Sequence, residues 1–316
     1  MEYREAAELL LRQNDILILT HKRPDGDTIG CAVGLCLALR AQGRTAWLLP
    51  NEDATRLFTP YLEGCLAPED FRPAFVVSVD IAGKGLFTPA GEQWLQKGID
   101  LAIDHHPSQE YFAKETCLDA GRAACGELVY DIVRQWGPVS REVALPLYVA
   151  VSTDTGCFQY SNTSPDTHRV AAALMETGID AQWVNKRHFR TKSLKRLKLE
   201  ALIVDTMDLH DDGAIAIAAV SLDDMARLEA DEADAEDIAA FVGQLEGVRT
   251  SVTIRELEGG SCKLSVRTDE TLSATGVCAL LGGGGHAAAA GCTITGSVED
   301  AKAAILSAIR QVQGHA

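Results

Sequence analysis

A chain of 316 residues with 47% apolar and 23% charged side chains has a globular composition and the length of two domains rather than one. Its 45 acids against 29 bases leave a formal charge of −16, which repels long duplex DNA, so a nucleic-acid substrate is expected to be short or locally gripped. No apolar run reaches the roughly 18–20 residues that span a bilayer, and the first residues, acids mixed with apolar side chains, read as the start of a folded domain; nine scattered cysteines without metal-ligand spacing read as reduced, buried thiols of a cytoplasmic protein.

In chain order, apolar runs at 16–19, 46–49, 75–79 and 101–103 predict strands, and amphipathic stretches separate them. That alternation is the pattern of an α/β fold with a parallel sheet covered by helices on both faces. The spacing of 29–41, stopped by Gly43, predicts a crossover helix, and 120–137 and 141–151 predict two more. Seven of the 29 bases then fall within 185–199, with no acid among them. They predict a basic helical connector, 185–211, between a first domain at 1–184 and a smaller mixed-sheet α/β domain at 212–316. Its bases suit either a solvated face or an electrostatic lip for an oligonucleotide. Beyond it, 214–220, 250–255 and 263–267 predict strands, acid-rich 223–237 a solvated helix with its preceding loop, and 298–312 an amphipathic helix.

Polar residues able to bind metals stand directly after the predicted strands of the first domain: His21, Asp25 and Asp27 after the first, Asp80 after the third, Asp104-His105-His106 after the fourth. The crevice at the carboxyl ends of parallel strands is where such folds bind ligands, so these residues are expected to converge, with Asp154 joining from the end of a helix. Each motif alone has a plain reading: Asp25-Gly26-Asp27 as a turn, the paired histidines as a capped loop. Together, His21, Asp25, Asp27, Asp80, His105 and Asp154 gather too many carboxylates to coexist without cations. Carboxylate and imidazole ligands without thiolate suit a hard or borderline ion such as Mn²⁺ rather than a zinc thiolate site. Two such ions can share a carboxylate and a water and clamp an in-line phosphoryl displacement, which implies phosphoester hydrolysis. In the second domain, the loop Gly282-Gly283-Gly284-Gly285-His286 can bring backbone N–H groups close to an anion, more so if 287–291 is helical; alone it also reads as a flexible turn. Arg267 offers a second anion-directed group if it points inward; alone it reads as an ordinary surface arginine.

These motifs, His21-Lys22-Arg23-Pro24-Asp25-Gly26-Asp27, Asp80, Asp104-His105-His106, Thr153-Asp154-Thr155-Gly156, Leu264-Ser265-Val266-Arg267 and the loop ending at His286, resemble in order those of the DHH phosphoesterases with a DHH-associated C-terminal domain. The resemblance is narrowest to the nanoRNase/pAp phosphatase (NrnA-type) branch. It implies that His21, Asp25 and Asp80 hold one Mn²⁺ and that Asp27, Asp80, His105 and Asp154 hold a second, with Asp80 bridging. It further implies that His106 contacts the scissile phosphate and assists proton transfer, that Asp104 orients the histidines, and that Arg267, Gly284, Gly285 and His286 bind the substrate's other end across an interdomain cleft. The implied substrates are RNA of two to a few residues, cut to 5′-mononucleotides, 3′-phosphoadenosine 5′-phosphate (pAp), and for some members linear or cyclic adenosine dinucleotides; the implied assembly is a homodimer. Cys125 stands where relatives often carry a hydroxyl, and Thr275-Gly276 departs from the usual sequence. Family II pyrophosphatases lack the glycine loop, RecJ-type exonucleases are larger, and a nucleotide sensor has no need for six clustered ligands, so these alternatives rank below the nanoRNase reading.

Overall fold

The computed structural model describes residues 1–232, 234–235 and 238–314. They divide into two compact units, 1–191 and 192–316, each with its own sheet.

The first unit contains α1 (Tyr3–Leu11), β1 (Ile16–Leu19), α2 (Gly26–Ala41), β2 (Ala46–Leu48), β3 (Phe75–Val79), α3 (Pro89–Lys97), β4 (Ile99–Asp104), β5 (Ala113–Leu118), α4 (Cys125–Val133), α5 (Arg141–Asp154), α6 (Pro165–Glu176) and α7 (Ala181–Asn185). Its five strands are all parallel, in the order β2-β1-β3-β4-β5. Alternate strand residues bury on opposite faces: Ile16 and Ile18 against the layer of α1, α2, α4 and α5, Leu17 and Leu19 against Trp94 and Leu95 of α3. Burial on both sides is why these strands read as unbroken apolar runs. β5 escaped that signal because Lys114 and Glu115 are exposed and only Cys117 is fully buried, a charged edge strand that discourages further pairing. The helix expected over 120–137 accordingly starts only at Cys125.

The close contact that shapes the site is between α2 and α5. Gly26, Gly30 and Gly34 stand one turn apart on α2, and a methyl group at Gly30 would lie 2.3 Å from the Pro146 carbonyl oxygen and 2.8 Å from the Ala150 side chain. Bare backbone there lets the helices touch, which sets the start of α2, bearing Asp25 and Asp27, beside the end of α5, bearing Asp154.

The second unit contains α8 (Leu194–Thr206), β6 (Asp208–His210), β7 (Ile215–Val220), α9 (Leu222–Arg227), α10 (Ile238–Val242), β8 (Thr250–Leu257), β9 (Ser261–Thr268), α11 (Ala274–Ala279), β10 (Gly284–Gly285), β11 (Ala289–Thr295) and α12 (Val298–Gln313). The mixed sheet runs β10-β11-β9-β8-β7-β6, with only β7 and β8 parallel. One face packs on α11 and α12, the other on α8 and α10 through Leu199, Ile203, Ile238 and Val242. The basic stretch 185–199 is helical in two pieces: a wide π-type turn (Lys186–Arg190) follows α7, and α8 starts after Ser193, whose hydroxyl accepts the Arg196 N–H. In the second piece Lys192 and Arg196 both pair with Glu200 at 2.8 Å, so part of the charge run is internal to the second unit. Of the acid-rich run 223–237, Asp223 to Arg227 fall in α9, and Glu236 and Asp237 lie outside the described residues.

Candidate metal centre

Four segments meet at the carboxyl ends of β1, β3 and β4. After β1, the turn carrying His21 is pinned by Asn51, whose carboxamide donates to the Thr20 hydroxyl and to the His21 carbonyl, each at 2.9 Å, and by Asp53, which accepts the Arg23 N–H at 3.0 Å. Asp25 caps α2, one oxygen accepting the N–H groups of Asp27 and Thr28 at 3.0 and 3.2 Å. After β3, Asp80 turns left-handed with φ +57°, a strained conformation for a side-chain-bearing residue that here swings its buried carboxylate into the crevice. After β4, one Asp104 oxygen accepts both the His105 N–H at 2.9 Å and His106 Nδ1–H at 2.8 Å. Its other oxygen accepts from Gln109 at 2.7 Å.

In their neutral form, the one a metal ion requires, both of the deeper histidines are fixed in one tautomer. His21 Nδ1 lies 2.8 Å from the Lys22 carbonyl oxygen and His105 Nδ1 lies 3.1 Å from that of Arg122; a carbonyl only accepts, so Nδ1 carries the hydrogen and the Nε2 lone pair faces the crevice. His21 Nε2 stands 3.6 Å from Asp25 and 3.7 Å from Asp80; His105 Nε2 stands 3.7 Å from Asp27, 3.5 Å from Asp80 and 3.6 Å from Asp154. These separations are too long for hydrogen bonds. They are close to the roughly 3–3.5 Å expected between two donors bonded at about 2.1 Å to one ion. The six residues named from sequence therefore come together, in two groups that share Asp80: His21, Asp25 and Asp80, and Asp27, Asp80, His105 with Asp154 beside it.

The electrostatics have the same form. Burial and the charges of Asp80 and Asp154 push Asp27 well above the usual carboxylate range, and burial with Asp80 and Asp25 raises Asp154 to about 7 despite the nearby histidines. Burial also opposes charge on Asp80, but His105, His21 and His106 outweigh it and hold that carboxyl well below its ordinary value. Burial disfavours protonation of His21 and His105, yet the surrounding carboxylates win and raise both. In the absence of cations, protons are what hold this cluster together. Asp80 Oδ1, buried, accepts no hydrogen bond from the described residues, with His105 Nε2 and His106 Nδ1 each 3.5 Å away; that is the expected state of an oxygen kept for an ion. The residues present fit a pair of divalent cations. A cluster of Asp80, Asp104 and His106 adjoins them.

The four residues named in the second unit lie at one end of its sheet. Arg267 pairs across strands with Ala289, and Gly284 and Gly285 pair with Gly291 and Ala290, so His286 sits in the tight turn between β10 and β11. The segment 287–291 is thus a turn and strand, not a helix: pairing with β9 overrides the helix preference of its alanines, and the helix end beside the loop is instead the start of α11, whose Ala274 N–H donates to the Ala287 carbonyl at 2.7 Å. Two of the glycines are there for the hairpin itself. A methyl at Gly283 would meet the Gly291 carbonyl oxygen at 2.2 Å, and Gly285 has φ +143° with the Ala289 oxygen 2.6 Å from such a methyl, whereas Gly284 faces open space. Thr275 ties the loop down, its hydroxyl donating to the Gly285 carbonyl at 3.0 Å. Gln109, Asn51 and Asp53 were not singled out in the sequence; ordinary loop residues by type, they act through hydrogen bonds that only the fold creates.

Comparison with known proteins matches residues 15–151 to the family model described as "DHH family, N-terminal domain" and residues 212–314 to the "DHHA1 domain". The chain is 32% identical over 304 residues to "Bifunctional oligoribonuclease and PAP phosphatase NrnA" of Thermus thermophilus, covering 95% of this chain and 90% of that protein. It is 24% identical to the protein of the same name from Bacillus subtilis, covering 88% and 89%. Among solved structures, an exopolyphosphatase-related protein from Bacteroides fragilis superposes with a TM-score of 0.87 at 22% identity, over 99% of this chain and 96% of that one. RecJ in complex with Mn²⁺ from Thermus thermophilus gives 0.51 at 15% identity, over 99% of this chain and 55% of that one.

Proposed function

Because the chain belongs to the DHH phosphoesterase family, in the branch of the bifunctional oligoribonucleases and PAP phosphatases, and is a hydrolase, we propose that it cuts RNA of two to a few residues to 5′-mononucleotides and removes the 3′-phosphate of pAp. The observation that carries this reading is the convergence of His21, Asp25, Asp27, His105 and Asp154 on Asp80, one of whose oxygens accepts no hydrogen bond from the described residues. His21, Asp25 and Asp80 would hold one divalent ion, and Asp27, Asp80, His105 and Asp154 the other. Mn²⁺ suits the oxygen and imidazole donors, and a protein of the same fold has been solved with it. Bound there, such a pair supplies Lewis acidity and a water acidic enough to be hydroxide at neutral pH.

The chain's own residues supply the rest. Asp104 binds His106 Nδ1, so a proton that His106 gives to a leaving oxygen departs from Nε2, and the negative charge of Asp104 and Asp80 raises its affinity for that proton although burial opposes it. Gln109 occupies the second Asp104 oxygen and so keeps the first aimed at His106. Arg267 and His286, with Gly284 and Gly285, bind a phosphate or end of the substrate. We read the protein as cytoplasmic, a reducing compartment that suits its nine free thiols, and as a homodimer by analogy with its family.

The test is turnover with Mn²⁺ of an end-labelled RNA dinucleotide, a 24-mer and pAp side by side. Fast release of mononucleotide from the dinucleotide, phosphate from pAp and a nearly inert 24-mer are expected. Equal attack on the 24-mer, or no turnover of either short substrate, would refute the assignment.

A further inference from the structure

Three of the proposed ligands owe their placement to a single stretch of backbone. Residues 122–126 lead from β5 into α4, and the Arg122 carbonyl accepts His105 Nδ1–H at 3.1 Å. The N–H groups of Cys125 and Gly126 hold the two Asp27 oxygens at 2.7 and 2.9 Å. The Ala123 carbonyl shares the Asn162 carboxamide with the carbonyl of Asp154, at 3.0 and 3.1 Å. His105, Asp27 and Asp154 are thus all referenced to this segment. His21 and Asp25 are not: their hydrogen bonds go to Lys22 and to the first turn of α2.

The segment is in turn held by the Arg122 side chain. Its guanidinium reaches Glu127 at 3.2 Å, Asp131 at 2.6 Å and Asp119 at 3.5 Å, and it lies 5.8 Å from the centre of the Tyr3 ring. Glu127 is fully buried, and its other oxygen accepts the Thr167 hydroxyl of α6 at 2.7 Å. The planar fork therefore joins the segment to two acids of α4 at once, a geometry a lysine ammonium reproduces only in part.

We propose that Arg122 is a positioning residue for one of the two metal positions, its guanidinium anchoring 122–126 as the template on which His105, Asp27 and Asp154 are set, while the His21 and Asp25 position is built independently. The proposal rests on the two-ion reading of the cluster. It predicts selectivity: loss of the anchor should weaken one ion and spare the other.

The experiment is calorimetric titration of Mn²⁺ into metal-stripped full-length protein, with electron paramagnetic resonance of the loaded samples, for wild type, Arg122→Gln, Arg122→Lys and Asn162→Ala. Wild type should take two ions with the signal of a coupled pair. Arg122→Gln should keep one site at wild-type affinity and weaken the other by about 10–100-fold, with the signal of an isolated ion at intermediate Mn²⁺. Arg122→Lys should recover part of the loss. Asn162→Ala, which leaves no buried acid unpaired, should weaken the same site less, and it decides the matter if Arg122→Gln does not fold. Equal weakening of both sites, or two unaltered sites in folded Arg122→Gln and Asn162→Ala, would overturn the proposal. A wild type that binds no Mn²⁺ or only one ion would instead bring down the two-ion reading beneath it.

Discussion

At Asp80 a left-handed backbone, near-complete burial and an oxygen without a hydrogen bond from the described residues coincide, and each of these costs stability that a folded chain has no reason to spend on an ordinary loop aspartate. Asp80 was legible in the sequence because it follows an apolar run, as were His21 and the Asp104-His105-His106 cluster. Gln109 was not, since nothing in Ser108-Gln109-Glu110 distinguishes it from a solvated turn. In the fold it is buried, donating to Asp104 and to the Ile81 carbonyl and accepting the Tyr111 N–H at 3.1 Å. Gln109→Ala is expected to cost about 1–3 kcal/mol, the penalty for leaving buried acceptors unsatisfied, and to lower kcat more than it raises KM, because the substrate's own contacts remain. Steady-state kinetics with urea unfolding read both; a raised KM at unchanged kcat would place Gln109 in substrate binding instead. Cys125, the departure noted in the sequence, lies beneath the centre as a buried thiol donating to the Ile103 carbonyl, so it packs the site from below.

Among the elements, the pairing of α2 with α5 does the most to build the centre, and the sequence hid it. Gly26, Gly30 and Gly34 look like helix-weakening residues in a pattern that otherwise predicts a buried helix; their purpose appears only when α5 lies against them. Gly30→Ala sets two effects in opposition. Alanine favours a helix over glycine by about 1 kcal/mol, but its methyl would stand 2.3 Å from a backbone oxygen that moves only if α5 moves, and overpacking of this kind costs about 1–3 kcal/mol or more. The clash should win: a lower urea midpoint is expected, together with weaker Mn²⁺ binding as Asp27 and Asp154 separate. A midpoint equal to or above wild type would show that the helices have room to spare. Two of the strands missed from the sequence were missed for related reasons, β5 because it is a charged edge strand and β11 because its alanines take strand geometry from their partner β9.

For the whole molecule, composition and charge set broad limits that the fold meets. Two units, each with cores on both faces of its own sheet, match the length. A net charge of −16 opposes the proposed anionic substrate only until the charge is located. Four of the acids converge on one crevice where cations would reverse the local sign. The central claim, that Asp80 is shared by two bound ions, is tested most directly by anomalous diffraction at the manganese edge from crystals grown with Mn²⁺. Two peaks in contact with Asp80 are expected, one beside His21 and Asp25 and the other beside His105, Asp27 and Asp154; no peak against Asp80, or a single ion bound elsewhere, would contradict the account.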